Sequence, residues 1–314
     1  MMIGRANPRK TFRNRRHWVV AVILCGVSLS AHADYGYRRT GWSQSEPQLR
    51  EDGAQVPGGC PIESPAGRFL WTARNPGSGL DIYVNERTAN GKSFAIGGPL
   101  PEPINDPGLA NDFCPTPQPD GELYYVSARD GGCGSADLQV AINNPAGGWA
   151  EPVNLGCAPE GPNTPGLELS PAIVKTVWGT FLYFSTDYYS GNQDIYRSRM
   201  RSDGTFGPGK RLPWPINTEY DDRQPNLSRD GRELVFASNR PTTAGDDTGF
   251  DIFQAKRRHL FFPWRRVVNL SETVPFETVD SSETRPSLSW DGKRLHYGAG
   301  GVWVSKRARS FRRW

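Results

Sequence analysis

Pro225-Asn-Leu-Ser-Arg-Asp-Gly231, continued by Arg232-Glu-Leu-Val-Phe-Ala-Ser-Asn-Arg240 and, after a Gly-rich loop, by Asp251-Ile-Phe253, decides how this chain folds. An Asp-Gly turn set before an apolar, β-branched and aromatic run is the signature of a hairpin. The same phrase recurs. Ser64-Pro-Ala-Gly-Arg-Phe-Leu-Trp-Thr-Ala-Arg74 and Gln118-Pro-Asp-Gly-Glu-Leu-Tyr-Tyr-Val-Ser-Ala-Arg129 are clear copies. Val177-Trp-Gly-Thr-Phe-Leu-Tyr-Phe-Ser-Thr-Asp187 and Ser289-Trp-Asp-Gly-Lys-Arg-Leu-His-Tyr297 are degenerate ones. The turn glycines fall at 67, 121, 179, 231 and 292, so the repeat occurs five times.

Each copy continues into an Asp-apolar-aromatic strand: Asp81-Ile-Tyr83, Asp194-Ile-Tyr196, Asp251-Ile-Phe253, and more weakly Asp137-Leu-Gln139 and Val302-Trp303. A fourth element follows, as in Trp149-Ala-Glu-Pro-Val-Asn-Leu155 and Trp264-Arg-Arg-Val-Val-Asn-Leu270. Four strands per repeat make a propeller blade. The expected fold is therefore all-β, a five-bladed β-propeller of four-stranded antiparallel blades. Its blades span about 57–106, 107–156, 157–217, 218–270 and 271–305. The fifth lacks its fourth strand, and Trp42-Ser-Gln-Ser-Glu-Pro-Gln-Leu49 reads like Trp149 to Leu155. The segment 34–56 is thus expected to give the closing strand of the last blade, since an open seam would leave unpaired strand edges.

These residues resemble the TolB-type, WD40-like propeller repeat, which runs Pro-x-x-Ser-x-Asp-Gly, then an apolar strand ending Ser-x-Arg, then Asp-Ile-Tyr. The resemblance covers about residues 42–305, with turn glycines 52 to 61 residues apart, wider than the ≈ 40–45 of ordinary WD40 repeats. It implies an exported, non-catalytic module that binds a protein or other envelope macromolecule through its loop-rich channel mouth.

Residues 1–33 have the layout of a signal peptide: a basic start, the apolar run Trp18 to Leu29, and Ala31-His32-Ala33. Cleavage would take six of the 37 Lys+Arg and none of the 33 Asp+Glu, leaving 31 against 33. No domain-wide basic excess then remains, which argues against nucleic acid as a partner. The expectation is a periplasmic or secreted monomer without a transmembrane span after cleavage, ending in a basic tail, 306–314. Four cysteines would remain, and an oxidising compartment favours disulfides. Cys133 and Cys157 lie in loops expected on one face and are the first choice; Cys60 and Cys114 are left as a second pair by elimination.

Candidate site residues come from the starts of the innermost strands. Asp112, Glu168, Asp222 and Glu283 each stand three residues before a proline, while blade one has Gly58. Hairpin register places Asp112 by Arg129 and Asp222 by Arg240, which reads as structural ion pairs. Blade three departs from the pattern: Glu168 falls near Asp187, followed by Tyr188 and Tyr189. Two such carboxylates raise one pKa or recruit a cation, with Ca²⁺ the candidate, and the tyrosines offer surface to a sugar or peptide. The Asp-rich loop Gly245 to Asp251 lacks the full Ca²⁺-loop ligand series. No Ser-His-Asp arrangement or phosphate loop is legible and no cofactor is implied. The alternative function is a glycan-binding or glycoside-hydrolase-like five-bladed propeller that uses channel carboxylates.

Overall fold

The computed structural model describes residues 41–77, 79–108, 110–241, 249–273 and 283–307. The signal peptide, residues 34–40, most of the Asp-rich loop and the tail from 308 lie outside the described residues. Among those described, no helix is long and apolar enough to cross a membrane.

Five four-stranded antiparallel sheets form the blades of a propeller. Blade one holds β2 (Gly59–Glu63), β3 (Phe69–Arg74), β4 (Asp81–Glu86) and β5 (Gly98–Pro99). Blade two holds β6 (Asp112–Pro117), β7 (Glu122–Ser127), β8 (Asp137–Ile142) and β9 (Val153–Asn154). Blade three holds β10 (Glu168–Thr176), β11 (Gly179–Thr186), β12 (Asp194–Arg199) and β13 (Lys210–Arg211). Blade four holds β14 (Asp222–Leu227), β15 (Glu233–Ser238), β16 (Asp251–Lys256) and β17 (Arg265–Asn269). In blade five β18 (Thr284–Leu288), β19 (Arg294–Gly298) and β20 (Val302–Lys306) are joined at the outer edge by β1 (Glu46–Pro47), with Glu46 opposite Val304.

The repeat dictates the turns. All five repeat glycines, 67, 121, 179, 231 and 292, sit at φ between 65° and 118°, a region closed to most L-residues. Apolar residues then form one cluster at each blade-to-blade interface. Leu123 and Tyr125 of blade two, for instance, meet Ile62, Trp71 and Ile82 of blade one. Trp42, ahead of β1, is fully buried between blades four and five. Loop asparagines pin each exit loop to the third strand of its own blade: Asn105, Asn163 and Asn217 each accept from the amide and donate to the carbonyl of Ile82, Leu138 and Ile195 respectively.

Every innermost strand carries a bulge at an X-Pro dipeptide. The register slips between Gly59 and Ile62, Phe113 and Thr116, Leu169 and Ala172, Arg223 and Asn226, and Thr284 and Ser287. A proline cannot donate to the ladder, so a bulge is where it fits. The residue before each proline, Cys60, Cys114, Ser170, Gln224 and Arg285, adopts φ of 49° to 58° and faces the propeller axis.

Cys133 and Cys157 form a disulfide with Cα atoms 5.5 Å apart. The second expected pair is corrected: Cys60 and Cys114 are adjacent on the axis but are free thiols. Their bulged strands aim both sulfurs inward, whereas the first pair joins two surface loops.

Candidate functional site

The innermost strands begin at one mouth of the channel, here called the front. The strand 2 to strand 3 loops and the blade-to-blade loops open there too. Two of the expected ion pairs form at this mouth. Arg129 Nη2 donates to Asp112 Oδ1 at 3.1 Å, and Arg240 Nη2 donates to Asp222 Oδ1. The backbone register differs from the expected one, with Asp112 opposite Ser127 and Asp222 opposite Ser238. The arginines reach back two residues, bonding Ser127 and Ser238 with Nε on the way and capping carbonyls of the preceding loop with their other nitrogens. Ser271 donates to Glu283 at 3.3 Å.

Blade three is different in kind. Glu168 stands opposite Thr186, and the expected Glu168–Asp187 pairing is corrected. The bulge at Ser170-Pro171 adds a residue to the inner strand and moves the pairing by one. Asp187 instead accepts the Leu167 amide at 2.9 Å. Thr164 donates its hydroxyl to Glu168 Oε1 at 2.5 Å, and the two threonines touch at 3.1 Å. Glu168 is completely buried, its Oε2 has no hydrogen-bond partner, and among the described residues no cation lies within ion-pair distance of it. Burial pushes its carboxyl up to about 7, with nearby Asp137 adding to the push and the threonine hydroxyls opposing it. Among the described residues no cluster of three or more His, Cys, Asp or Glu is placed to hold a metal ion.

The second layer explains why Glu168 stays there. Asp137 is locked by the Cys133 amide at 2.6 Å and by Asn154 at 2.7 Å, so the disulfide loop presents a fixed negative charge toward it. The same loop packs on residues 164–166: Ser135 bonds the Gly166 carbonyl, and any Cβ on Gly134 would meet Thr164 and Gly166 oxygens at 2.3 and 2.4 Å.

Tyr188 takes the place that arginine holds in blades two and four. It and Tyr189 are half exposed, with rings 5.0 Å apart and nearly perpendicular. Tyr189 lies 5.5 Å from Tyr196, which stacks on Phe184 at 6.0 Å. This chain of rings ties an exposed aromatic surface to the core. Trp214, 79% exposed on the next front loop, adds to the aromatic character of this mouth and was not among the expected site residues.

The rear mouth holds a cluster that the sequence reading also missed. Glu63, fully buried, is clasped by Arg294 at 2.8 and 2.7 Å and by Arg87 at 2.5 Å, with His296 Nε2 3.5 Å away. Burial drives the imidazole down to about 4, so it is neutral at pH 7. Burial pushes Glu63 up, yet its value is lowered, by His296 in the acid range where the ring is charged and by the two guanidiniums throughout. The signal was a charge at Glu63 where other repeats carry Pro117, Leu227 and Leu288. Neutralised on both sides, this carboxylate works as an inter-blade clamp.

No protein-family model matches this chain, and no curated protein matches it. Solved structures do. The catalytic domain of an α-L-arabinofuranosidase from Coprinopsis cinerea matches at 13% identity and a TM-score of 0.58, over 85% of this chain and 96% of that one. The endo-arabinase of Bacteroides thetaiotaomicron matches at 13% identity and a TM-score of 0.52, over 85% and 98%. TolB from Acinetobacter baumannii matches at 14% identity with a TM-score of 0.47, over 90% and 68%. These likenesses show the propeller fold. They also correct the expectation of a non-catalytic TolB-like binder: that reading rested on the resemblance alone, and the structures matched at a TM-score above 0.5 are those of an arabinofuranosidase and an endo-arabinase.

A raised carboxyl makes a prediction about stability. The folded value of Glu168 lies above the ordinary 4.5, so its contribution is complete below pH 4.5 and is lost as pH rises through 7. By pH 8 the loss amounts to ~3 kcal/mol. Glu168→Gln removes this slope. In urea unfolding the variant should gain on the parent by about 2–3 kcal/mol more at pH 8 than at pH 5; an equal difference at both would show that the carboxyl is not held neutral by the fold.

Proposed function

We propose that this protein is a glycan-active propeller that seats a sugar chain on Tyr188 and Tyr189 at the front mouth of blade three, with Glu168 as its proton donor. The observation that carries the reading is the buried carboxyl of Glu168, which holds its proton toward neutral pH and, among the described residues, lacks both an ion-pair partner and a hydrogen-bond partner for Oε2. A general acid acting on a glycosidic oxygen needs such a group. Elsewhere in the ring the acids of blades two and four are tied to arginine, and only blade three exchanges the guanidinium for an aromatic surface. Glu168 lies beneath the loop 164–167, so proton transfer requires that loop to part from Tyr188 when a glycan is seated. Export to an oxidising compartment suits both the Cys133–Cys157 disulfide and a polymeric substrate outside the cell.

The test is a polysaccharide panel that includes arabinan and arabinoxylan, read by released reducing ends and by retardation in polysaccharide-containing gels. The parent should release sugar. Glu168→Gln should lower release by at least about 100-fold while keeping gel retardation, and Tyr189→Ala should weaken retardation by roughly 10-fold. Absence of both release and retardation across the panel would end the proposal; retardation without release would leave a binding propeller and remove the acid role.

A further inference from the structure

The five residues that precede the bulge prolines meet on the propeller axis. Arg285, 1% exposed, donates from Nη1 to Ser170 Oγ at 2.6 Å and to Cys60 Sγ at 3.8 Å, and from Nη2 to the Cys114 carbonyl at 3.2 Å. Its backbone amide donates to Gln224 Oε1 at 2.9 Å. Among the described residues no carboxylate lies within ion-pair distance of this guanidinium, and its Nε has no partner. A buried cation without an anion is costly, so the acids near it matter. They are the Cys60 thiol, in contact with Nη1, and the Cys114 thiol, which feels the charge without touching it.

Cys60 and Cys114 lie close enough for each to shift the other's titration, and Ser170 Oγ donates to Cys114 Sγ at 3.5 Å. Burial pushes the Cys114 thiol up, but the Cys60 thiol, the Arg285 charge and Ser170 overcome it and bring the group down to about 6. The Cys60 thiol is pushed up, first by its bond to Cys114 and then by burial. The two partners therefore divide into thiolate and thiol. Arg223 of blade four is the other charged group facing Cys114. Cys60 is partly exposed and Cys114 is wholly buried, so a reagent that reaches the pair has to be small.

We propose that Cys60 and Cys114 are a hydroperoxide-sensitive dithiol on the propeller axis, in which Cys114 attacks the peroxide and Cys60 closes a disulfide between blades one and two. The Cys114 thiolate attacks the O–O bond, forming Cys114–SOH, and the leaving oxygen takes a proton to depart as water or alcohol. Cys60 Sγ then attacks the Cys114 sulfur. The S–S bond forms and hydroxide leaves as water with the Cys60 proton. Two thiols lose two electrons in all, and one peroxide gains them. Arg285 is the positioning residue that holds the attacking sulfur ionised.

Hydrogen peroxide itself is the probe, applied to the mature chain, followed by maleimide blocking under denaturing conditions and peptide mapping to separate this pair from Cys133 and Cys157. The parent should carry maleimide on both Cys60 and Cys114 before treatment and on neither afterwards, with the mass of a disulfide between them. Cys60→Ser should give a dimedone adduct at Cys114, and Cys114→Ala should give none at Cys60. The parent's rate should reach half its maximum near pH 6, and Arg285→Gln should slow oxidation by about 10-fold or more and move that midpoint upward. The melting curve of each variant separates loss of reactivity from loss of fold, and the parent mass shift needs no variant. If the parent keeps both maleimides at a tenfold excess of peroxide, or forms only mixed oxidation products without the disulfide, the proposal is overturned.

Discussion

Trp42→Ala should lower the free energy of unfolding by ~3–5 kcal/mol, the range for deleting a large buried aromatic. Trp42 is fully buried among Val235, Ile252, Leu288 and Leu295, and the Arg307 guanidinium lies 4.2 Å from its ring. It also forms an antiparallel bridge to Arg307, whose Nη2 in turn holds Glu233 at 2.6 Å. The side chain thus joins the start of the described chain to blades four and five at once. Chemical denaturation measures the loss directly. A Trp42→Phe variant, which keeps most of the apolar volume, should recover more than half of it. A loss under ~1 kcal/mol for alanine would mean that the segment before β1 does not pack as described.

Arg240→Ala should cost a similar amount, ~3–5 kcal/mol, for an electrostatic reason. Its partner Asp222 is wholly buried, and without the guanidinium it keeps only the Thr218 amide and hydroxyl at 2.6 and 2.7 Å. The Ile216 and Pro215 carbonyls lose their donors as well. Arg240 also packs 4.8 Å from the Phe253 ring, so a packing contribution has to be separated. Arg240→Met supplies that control: it restores bulk without charge and should recover under a third of the loss. The Arg68–Glu86 pair, exposed on both sides at 2.7 Å, is the contrast, and Arg68→Ala should change stability by less than ~1 kcal/mol. If both substitutions cost the same, the front-mouth pairs are ornaments of the surface and not struts.

The blades were legible because a repeat announces itself through its turns, and each turn glycine occupies the backbone region that only glycine enters freely. The arginine pairs were legible despite a register error, since a guanidinium spans two residues of strand. Glu168 and Asp187 were not so forgiving. Their short side chains cannot absorb the extra residue that Ser170-Pro171 inserts, and a pairing read from turn arithmetic placed the wrong residue opposite. Glu63, Arg285 and His296 escaped for another reason. Several of their partners lie more than a hundred residues away, so the repeat can mark a residue as unusual, as at Glu63, but cannot say what meets it.

The five bulges have a consequence for how such a chain can change over generations. Each aims one side chain at the axis from a backbone geometry set by the proline after it, and in this chain cysteine, serine, glutamine and arginine all occupy that geometry. The slot therefore admits side chains of very different size and charge. Its occupants hold one another across the blades, as Arg285 does with Ser170, Cys60 and the Cys114 carbonyl, and Cys114 also belongs to the cluster between blades two and three. A change in one blade's slot is therefore met at once by side chains of other blades, so the centre of the molecule is rewritten as a set and not one residue at a time.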